Sequence, residues 1–206
     1  TSNRVPSYQN WLDGADLRQV YESHKRWLQV LQWKAPAERW VLKSPGHLWA
    51  LDSLLAVYPD ARIVQTHRDP LKVVASLVSL VCTLRSLASE EVDPHEIGRD
   101  WTQRLAAGLA HATRVRDDAK LPESQVFDVP FRAFMTDEIA RVRRIYEHFG
   151  MEYTPEAEHR MRTFLSENAA DKHGRHRYDL SLGGLDEPPE RERYAAYQHR
   201  FAIPSE

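Results

Sequence analysis

The sequence is poor in cysteine, in long apolar runs and in excess charge of either sign. Cys82 is its single cysteine, so a disulfide framework within one chain is excluded and a reducing compartment is expected. No apolar run reaches the roughly 18 residues that cross a bilayer, and the start lacks the basic and apolar regions of a secretion signal. The net charge of −2 indicates neither nucleic-acid nor membrane binding. We therefore expect a cytoplasmic chain without a transmembrane segment or a nucleic-acid partner.

Several motifs of nucleotide and metal chemistry are missing as well. The eight glycines are scattered and no G-x-x-x-x-G-K-[ST] loop occurs, so a P-loop kinase or related nucleotide hydrolase has no visible phosphate loop. The chain has neither a cysteine cluster nor an H-E-x-x-H pair, and His173 and His176 lie three apart without further ligands in a known pattern. We expect no bound metal.

Two neighbouring segments, WVLKSPGHL and RIVQTHRDP, each run from an apolar strand into a polar loop. The strands are predicted at 40–42 and 61–66, and a third is predicted at 126–131. Helical patterns separate these short strands, which favours βαβ units. The sequence therefore predicts an α/β fold, with a parallel sheet flanked by helices, in a single domain over residues 1–206.

Basic and imidazole side chains follow the first two predicted strands. Lys43 and His47 come after the first strand, and His67 and Arg68 after the second. Ligands of open α/β sheets bind outside the carboxyl ends of the strands, so we predict Lys43, His47 and Arg68 at that edge and His67 packed beneath the loop. Plainer interpretations stay open: Lys43 as an exposed lysine, His47 as a helix-capping residue and Arg68 as the ion-pair partner of a neighbouring aspartate.

A helix with a well-defined start is predicted directly after Arg68. Asp69 suits its cap and Pro70 its first turn. Residues 71–84 are apolar nearly all round, which indicates a buried helix. Its free N–H groups and positive dipole end form an anion site beside Arg68. Ser76 lies about 10 Å farther along the axis, at 1.5 Å per residue.

The rest of the chain is predicted to be mostly helical. Apolar spacing indicates an amphipathic helix at 15–33, whose stripe includes Tyr21 and His24. Residues 171–189 are polar and contain glycine, so they are predicted to form a surface loop. The remaining predicted helices cover 47–58, 94–119, 136–149, 154–168 and 190–201.

Four segments of this chain resemble those of a known family. RDPLKVVAS places Ser76 eight positions after Arg68, and VLKSPGHL carries Lys43 and His47 with two extra residues between them. DVPFRAFMTDEIARVRRIYEHFG matches a third segment, with phenylalanine and alanine where the family has tyrosine and an acid, and KHGRHRY is similar to a C-terminal phosphate loop. On these residues the chain resembles the sulfotransferases that use 3'-phosphoadenosine 5'-phosphosulfate (PAPS).

The resemblance implies a three-layer, P-loop-like architecture and transfer of a sulfonate group from PAPS to a hydroxyl or amine. In this scheme His47 takes the acceptor proton and Lys43 stabilises charge on the transferring group. The other corresponding residues bind phosphates of the cofactor: Arg68 and Ser76 at the 3' phosphate, and Lys172, Gly174 and Arg175 in the C-terminal loop. The implied acceptor is a small molecule, a carbohydrate or a lipid. No metal is implied, and a homodimer is left open.

One element of the family has no counterpart. The family opens with a Gly- or Ser-rich loop that cradles the 5' phosphosulfate, and this sequence contains none. We therefore expect the chain to be the C-terminal part of a larger enzyme and to transfer no sulfonate by itself. A non-catalytic relative that binds a partner or an anion remains the alternative; the missing loop favours it, and the pair Arg68 and Ser76 opposes it.

Overall fold

Helices make up most of the described chain, which in this computed structural model comprises residues 3–168 and 178–206. Several of them begin with proline or with a capping aspartate or threonine. The helices are α1 (Pro6–Asp13), α2 (Arg18–Lys34), α3 (Leu51–Val57), α4 (Pro70–Ser86), α5 (Pro94–Asp118), α6 (Phe131–Thr136), α7 (Glu138–His148), α8 (Pro155–Glu167) and α9 (Glu187–Arg200). Within these residues, none of the helices has the length and apolar content of a membrane span.

Two parallel strands form the sheet of the described residues. Strand β1 (Ile63–His67) pairs with β2 (Val126–Pro130), and Ile63 lies opposite Val126. Parallel neighbours need a long crossover connection, and α4 and α5 lie between the two strands in the sequence. This arrangement confirms the predicted α/β fold with a parallel sheet flanked by helices.

The first predicted strand is absent. Residues 40–42 have no regular secondary structure, and Val41 is 91% exposed. A strand needs a neighbour that pairs with its backbone N–H and C=O groups, and this segment has no strand partner in the part of the chain that the structure describes. The strand prediction was therefore wrong here. Lys43 and His47 follow an irregular segment, whereas Arg68 does follow a strand.

Most predicted helices are confirmed, with changes at their ends. The predicted helix at 15–33 corresponds to α2, but the one at 47–58 is divided into a 3-10 turn, Pro45–Trp49, and α3. Helices α1 and α6 were not expected from the sequence. Asp137 separates α6 from α7 because it adopts an extended conformation and its carboxylate caps α7. Gly150 follows α7 with φ +58, a conformation that favours glycine.

The predicted loop at 171–189 is described only from residue 178 onward. Leu180–Gly183 forms a 3-10 turn, and the carboxylate of Asp179 accepts the N–H of Ser181 at its start (2.9 Å). Helix α9 then begins at Glu187, earlier than predicted, because the following prolines suit a first helical turn.

Contacts group the chain into two compact units. The first unit combines the residues up to Ala61 with Arg104–Leu121. Helix α2 packs against α3, and the indole Nε1 of Trp49 donates to the backbone oxygen of Arg104 at 3.0 Å. A Cβ at Gly108 would lie 2.7 Å from the Trp49 ring, so the 3-10 turn sits tightly against α5. The single domain predicted over the whole chain stays a prediction.

The second unit combines Arg62–Gln103 with Pro122–Glu206 and contains the sheet. Helix α4 packs against the turn Leu180–Gly183 and against α9. As predicted, its apolar side chains are largely buried, namely Leu71, Val74, Ala75, Val78 and Val81. The Thr102 hydroxyl of α5 donates to the buried carboxylate of Glu190, which further ties α9 to this unit.

Close backbone packing at Gly98 should be sensitive to a single methyl group. A Cβ there would lie 2.3 Å from the backbone oxygen of Gly183. Helix propensity favours alanine over glycine by about 1 kcal/mol, but overpacking against backbone costs about 1–3 kcal/mol. We predict that Gly98→Ala lowers the free energy of unfolding in urea. Gly14→Ala is the control, because its Cβ would meet nothing closer than 4.0 Å, and an equal effect of both variants would contradict the prediction.

Candidate active site

The segment with Lys43 and His47 is a short capped turn in the first unit. Ser44 is extended, and its hydroxyl oxygen accepts the N–H of Gly46 at 3.1 Å. Pro45 occupies the first position of the 3-10 turn, as the fixed φ of proline favours. Lys43 is exposed, and His47 is half-buried within the turn. The turn thus holds an imidazole a few residues after an exposed lysine in the sequence.

Two tyrosine–histidine hydrogen bonds join α2 to its neighbours, one to this turn and one to the residue that follows α3. The hydroxyl of Tyr21 lies 2.8 Å from Nδ1 of His47, and the hydroxyl of Tyr58 lies 2.8 Å from Nδ1 of His24. Tyr21 also packs edge-on against the ring of His24, with the ring centroids 6.3 Å apart. We call Tyr21, His24, His47 and Tyr58 the histidine–tyrosine cluster.

The environment disfavours charge on two members of the cluster, His47 and Tyr21. Burial lowers the pKa of His47 below its ordinary value, and the nearby His24 lowers it further. Burial also raises the pKa of Tyr21, with additional contributions from Asp52 and Tyr58. His47 is therefore unprotonated at neutral pH, which is the state that a general base requires.

Arg68 lies in the second unit, directly after β1. Its Nε and Nη2 atoms donate to one carboxylate oxygen of Glu206, at 3.3 and 3.2 Å. The guanidinium group also lies over the ring of Phe131, 4.3 Å from the centroid. Phe131 begins α6 directly after β2. Arg68 is thus held between an aromatic face and a carboxylate, and its side chain is still 35% exposed.

The start of α4 is built around the carboxylate of Asp69, which has no exposed surface. It accepts the N–H of Leu71 at 3.0 Å and the N–H of Glu206 at 2.7 Å, and Arg191 donates to it at 2.6 Å. Burial alone would raise the pKa of Asp69, but the hydrogen bonds from Arg191, Glu206 and Leu71 outweigh it and lower the pKa. The predicted cap is confirmed, and the predicted anion site at this helix start already contains a carboxylate of the chain itself.

Of the other residues predicted to bind the cofactor, the structure describes only Ser76. Ser76 is half-buried on α4, in the same unit as Arg68. Its hydroxyl makes no hydrogen bond within residues 3–168 and 178–206. Lys172, Gly174 and Arg175 lie outside the described residues.

His67 has a structural role, in agreement with the expectation that it packs beneath the loop. It is 2% exposed. Its Nδ1 lies 2.6 Å from the Tyr197 hydroxyl and its Nε2 lies 2.8 Å from the Asp128 carboxylate. The ring also stacks on Phe201 at 4.5 Å. Since both ring nitrogens are engaged, this histidine links β1, β2 and α9 and is not available to a substrate.

Sequence reasoning missed several residues of both sites. Tyr21 had a signal, because it shares the predicted stripe of α2 with His24. Glu206 and Arg191 had none, because they are 138 and 122 residues away from their partners Arg68 and Asp69. In the described part of the chain, no group of His, Cys, Asp and Glu side chains is arranged to hold a metal ion.

The chain matches the model of a family described as the sulfotransferase family over residues 3–155. Among curated proteins, the omega-hydroxy-beta-dihydromenaquinone-9 sulfotransferase Stf3 of Mycobacterium bovis is 26% identical over 185 residues. That match covers 81% of this chain and 44% of Stf3, and the protein of the same name from Mycobacterium tuberculosis gives the same values.

Two solved structures of mycobacterial sulfotransferases have the same fold. STF9 from Mycobacterium avium superposes with a TM-score of 0.89 at 33% identity, over 98% of this chain and 52% of that chain. STF1 from Mycobacterium tuberculosis H37Rv gives a TM-score of 0.81 at 35% identity, over 94% of this chain and 49% of that chain. The chain thus spans about half the length of the relatives it matches.

The buried ion pair of Asp69 predicts a pH-dependent contribution to stability. Asp69→Asn keeps an oxygen that can cap α4 but removes the charge that Arg191 needs, so we expect a loss of about 1.5–3 kcal/mol in the free energy of unfolding at pH 7. Because the folded-state pKa of Asp69 is lowered, its contribution is complete above the unfolded pKa of about 3.9 and is lost as the pH falls through the folded value. Urea unfolding at several pH values measures this difference.

The matched control is Asp137→Asn. Asp137 also caps a helix, accepting the N–H of Ala140 at 2.8 Å, but it is exposed. Asparagine and aspartate cap helices about equally well, so this variant should stay within about 0.5 kcal/mol of the parent. If the difference in the free energy of unfolding between the parent and Asp69→Asn does not decrease as the pH is lowered, the pH-dependent role of the Asp69 ion pair is contradicted.

Proposed function

The chain belongs to the sulfotransferase family, and from this premise we propose that it takes part in transferring a sulfonate group from PAPS to a hydroxyl or amine. In that reaction the acceptor oxygen or nitrogen bonds to sulfur while the bond from sulfur to the phosphate oxygen breaks. Adenosine 3',5'-bisphosphate leaves, and the acceptor proton passes to a base. Such group transfer depends on positioning and on charge stabilisation. It needs no metal in this scheme.

The observation that carries the proposal is the placement of Arg68. It follows β1 directly, at the carboxyl end where α/β sheets bind ligands, and its guanidinium is partly exposed above Phe131. Helix α4 begins two residues later and carries the half-buried Ser76. We assign Arg68 and Ser76 to the 3' phosphate, because a guanidinium and a hydroxyl both donate hydrogen bonds to phosphate oxygens.

We assign the acceptor side of the reaction to the capped turn of the first unit. The half-buried His47 takes the acceptor proton, and the lowered pKa that keeps it neutral supports this role. The exposed Lys43 stabilises negative charge on the transferring group. Lys172, Gly174 and Arg175 remain proposed as a phosphate loop on the strength of the sequence alone.

For the acceptor, we infer an apolar molecule that bears a hydroxyl group. The support is the name of the relative Stf3, which describes action on an omega-hydroxy menaquinone derivative. Val20, Trp27 and Leu31 on α2 offer exposed apolar surface in the unit that contains His47. A cytoplasmic location and a homodimer remain part of the proposal.

A second candidate function, anion or partner binding without catalysis, is favoured by one observation. The Glu206 carboxylate already pairs with Arg68, where the 3' phosphate is expected. A relative that had lost catalysis could keep such a contact permanently. Binding of adenosine 3',5'-bisphosphate without any sulfonate transfer, in a protein that contains both this sequence and a donor loop, would favour this alternative.

We predict that Arg68→Ala weakens adenosine 3',5'-bisphosphate binding by about 1.5–3 kcal/mol, the value of a charged hydrogen bond, and leaves 5'-AMP binding nearly unchanged. Calorimetric titration of the purified chain with both nucleotides measures the difference. Arg62→Ala is the control, since Arg62 also lies over a phenylalanine ring in the same unit, at 5.8 Å from Phe149. Equal weakening of both nucleotides would remove the assignment to the 3' phosphate.

The ion pair between Arg68 and Glu206 predicts a variant with higher nucleotide affinity. Glu206→Gln removes the carboxylate that competes for the guanidinium, so the affinity for adenosine 3',5'-bisphosphate should rise. A partly exposed ion pair is worth about 0.2–1 kcal/mol, which corresponds to an increase of roughly 1.5- to 5-fold. The same titration measures it, and a decrease in affinity would mean that Glu206 positions Arg68 for the nucleotide instead of competing with it.

His47→Ala should lower turnover by about 10²–10⁴-fold in an active enzyme that contains this sequence, with nucleotide affinity unchanged. Because the base must be unprotonated and its pKa lies below the ordinary value of about 6.5, the parent activity should fall only at pH values below that. Steady-state kinetics over a pH series measures both effects. His111→Ala, which removes a histidine paired with Asp52 in the same unit at 3.2 Å, serves as the control.

A further inference from the structure

The hydrogen bond from α2 to the capped turn determines which ring nitrogen of His47 a substrate can reach. The hydroxyl of Tyr21 lies 2.8 Å from Nδ1, and Tyr21 itself is only 8% exposed. The Nε2 atom of His47 has no hydrogen-bond partner among residues 3–168 and 178–206. Nδ1 is therefore occupied by the protein, and Nε2 is the nitrogen that an incoming group can contact.

The position of the single proton on the neutral ring then decides the chemistry of Nε2. A neutral imidazole has one N–H donor and one nitrogen with a lone pair. The hydrogen bond made by one nitrogen determines which of the two carries the proton. If the Tyr21 hydroxyl donates to Nδ1, Nε2 carries the proton and cannot accept another. If Nδ1–H donates to the phenolic oxygen, Nε2 keeps its lone pair.

We propose that Tyr21 is a positioning residue for His47, because its phenolic oxygen accepts the Nδ1–H and thereby keeps the Nε2 lone pair available for the acceptor proton. This inference rests on the proposed role of His47 as the base. When the proton moves from the acceptor oxygen to Nε2, the bond between Nδ1 and Tyr21 stays in place and the resulting imidazolium remains hydrogen-bonded. No further reactant is needed for this proton transfer.

The surrounding groups support this arrangement. Burial, with a contribution from the negative charge of Asp52 on α3, raises the pKa of Tyr21, so the phenol stays uncharged and its oxygen lone pairs can accept the Nδ1–H of His47. His24 packs against the Tyr21 ring and disfavours a positive charge on His47 in the resting state. Tyr58 completes the set of titratable groups in the histidine–tyrosine cluster.

The chain contains a matched pair that serves as an internal control. His24 and Tyr58 form the same kind of hydrogen bond, between Nδ1 and a phenolic hydroxyl, at the same distance of 2.8 Å. The hydrogen bond between Tyr21 and His47 can therefore be removed while the one between Tyr58 and His24 is kept. Equally, the second bond can be removed while the first is kept. Both substitutions, Tyr21→Phe and Tyr58→Phe, remove one hydroxyl and leave the aromatic ring in place.

The test is the tautomer of His47 in the full 206-residue chain, observed in long-range proton–nitrogen NMR spectra at about pH 8, above the ordinary histidine pKa of about 6.5. The His47 signals are identified by their loss in His47→Gln. We expect a protonated Nδ1 and an unprotonated Nε2 in the parent. In Tyr21→Phe the proton should move to Nε2, the form that prevails in free neutral histidine, whereas Tyr58→Phe should leave His47 unchanged.

A parent His47 with the proton on Nε2 would overturn the proposal, because Tyr21 would then be the donor. A His47 pattern that Tyr21→Phe leaves unchanged would also overturn it. The measurement needs no catalytic activity, so it separates this inference from the proposed function. If the chain fails to distinguish adenosine 3',5'-bisphosphate from 5'-AMP, the proposed function fails while the tautomer result still stands.

Discussion

The carboxylate of Asp69 is the interaction on which the second unit most depends. A negative charge without any exposed surface is tolerated only when it is paired and fully hydrogen-bonded. Asp69 meets that condition through Leu71 in its own helix, Arg191 in α9 and the backbone of Glu206. The same contacts fix where β1 stops and α4 begins, and so they fix the backbone next to Arg68. Because Asp69 already occupies the helix start, the proposed phosphate site depends mainly on Arg68.

The candidate site residues of the two units lie in different electrostatic environments. In the first unit, burial lowers the pKa of His47 and raises the pKa of Tyr21, which disfavours charge on both side chains. In the second unit, Asp69 and Arg68 each form an ion pair, with Arg191 and Glu206 respectively. The proposed roles draw on these environments, since a base must be uncharged before it accepts a proton, and a phosphate group is bound best by a permanent positive charge.

Local features were predictable from the sequence, and contacts between distant segments were not. The cap at Asp69, the buried helix α4 and the strand end before Arg68 all follow from residues close together in the chain. The partners of these residues lie on α9 or beyond it, more than a hundred positions away, and no local sequence pattern predicts them. The error at 40–42 has the same origin, because apolar residues become a strand only when another strand pairs with them.

The contacts between β1 and α9 also affect the order in which the chain folds. Arg191 and Tyr197 reach back to Asp69 and His67 across 122 and 130 residues. Contacts of such long sequence separation form late, since closing a long loop lowers chain entropy before any contact compensates. A chain growing on the ribosome therefore exposes the carboxylate of Asp69 and the imidazole of His67 without these partners until α9 has been synthesised. A chain whose translation stops before α9 would leave α4 uncovered on that side and open to aggregation.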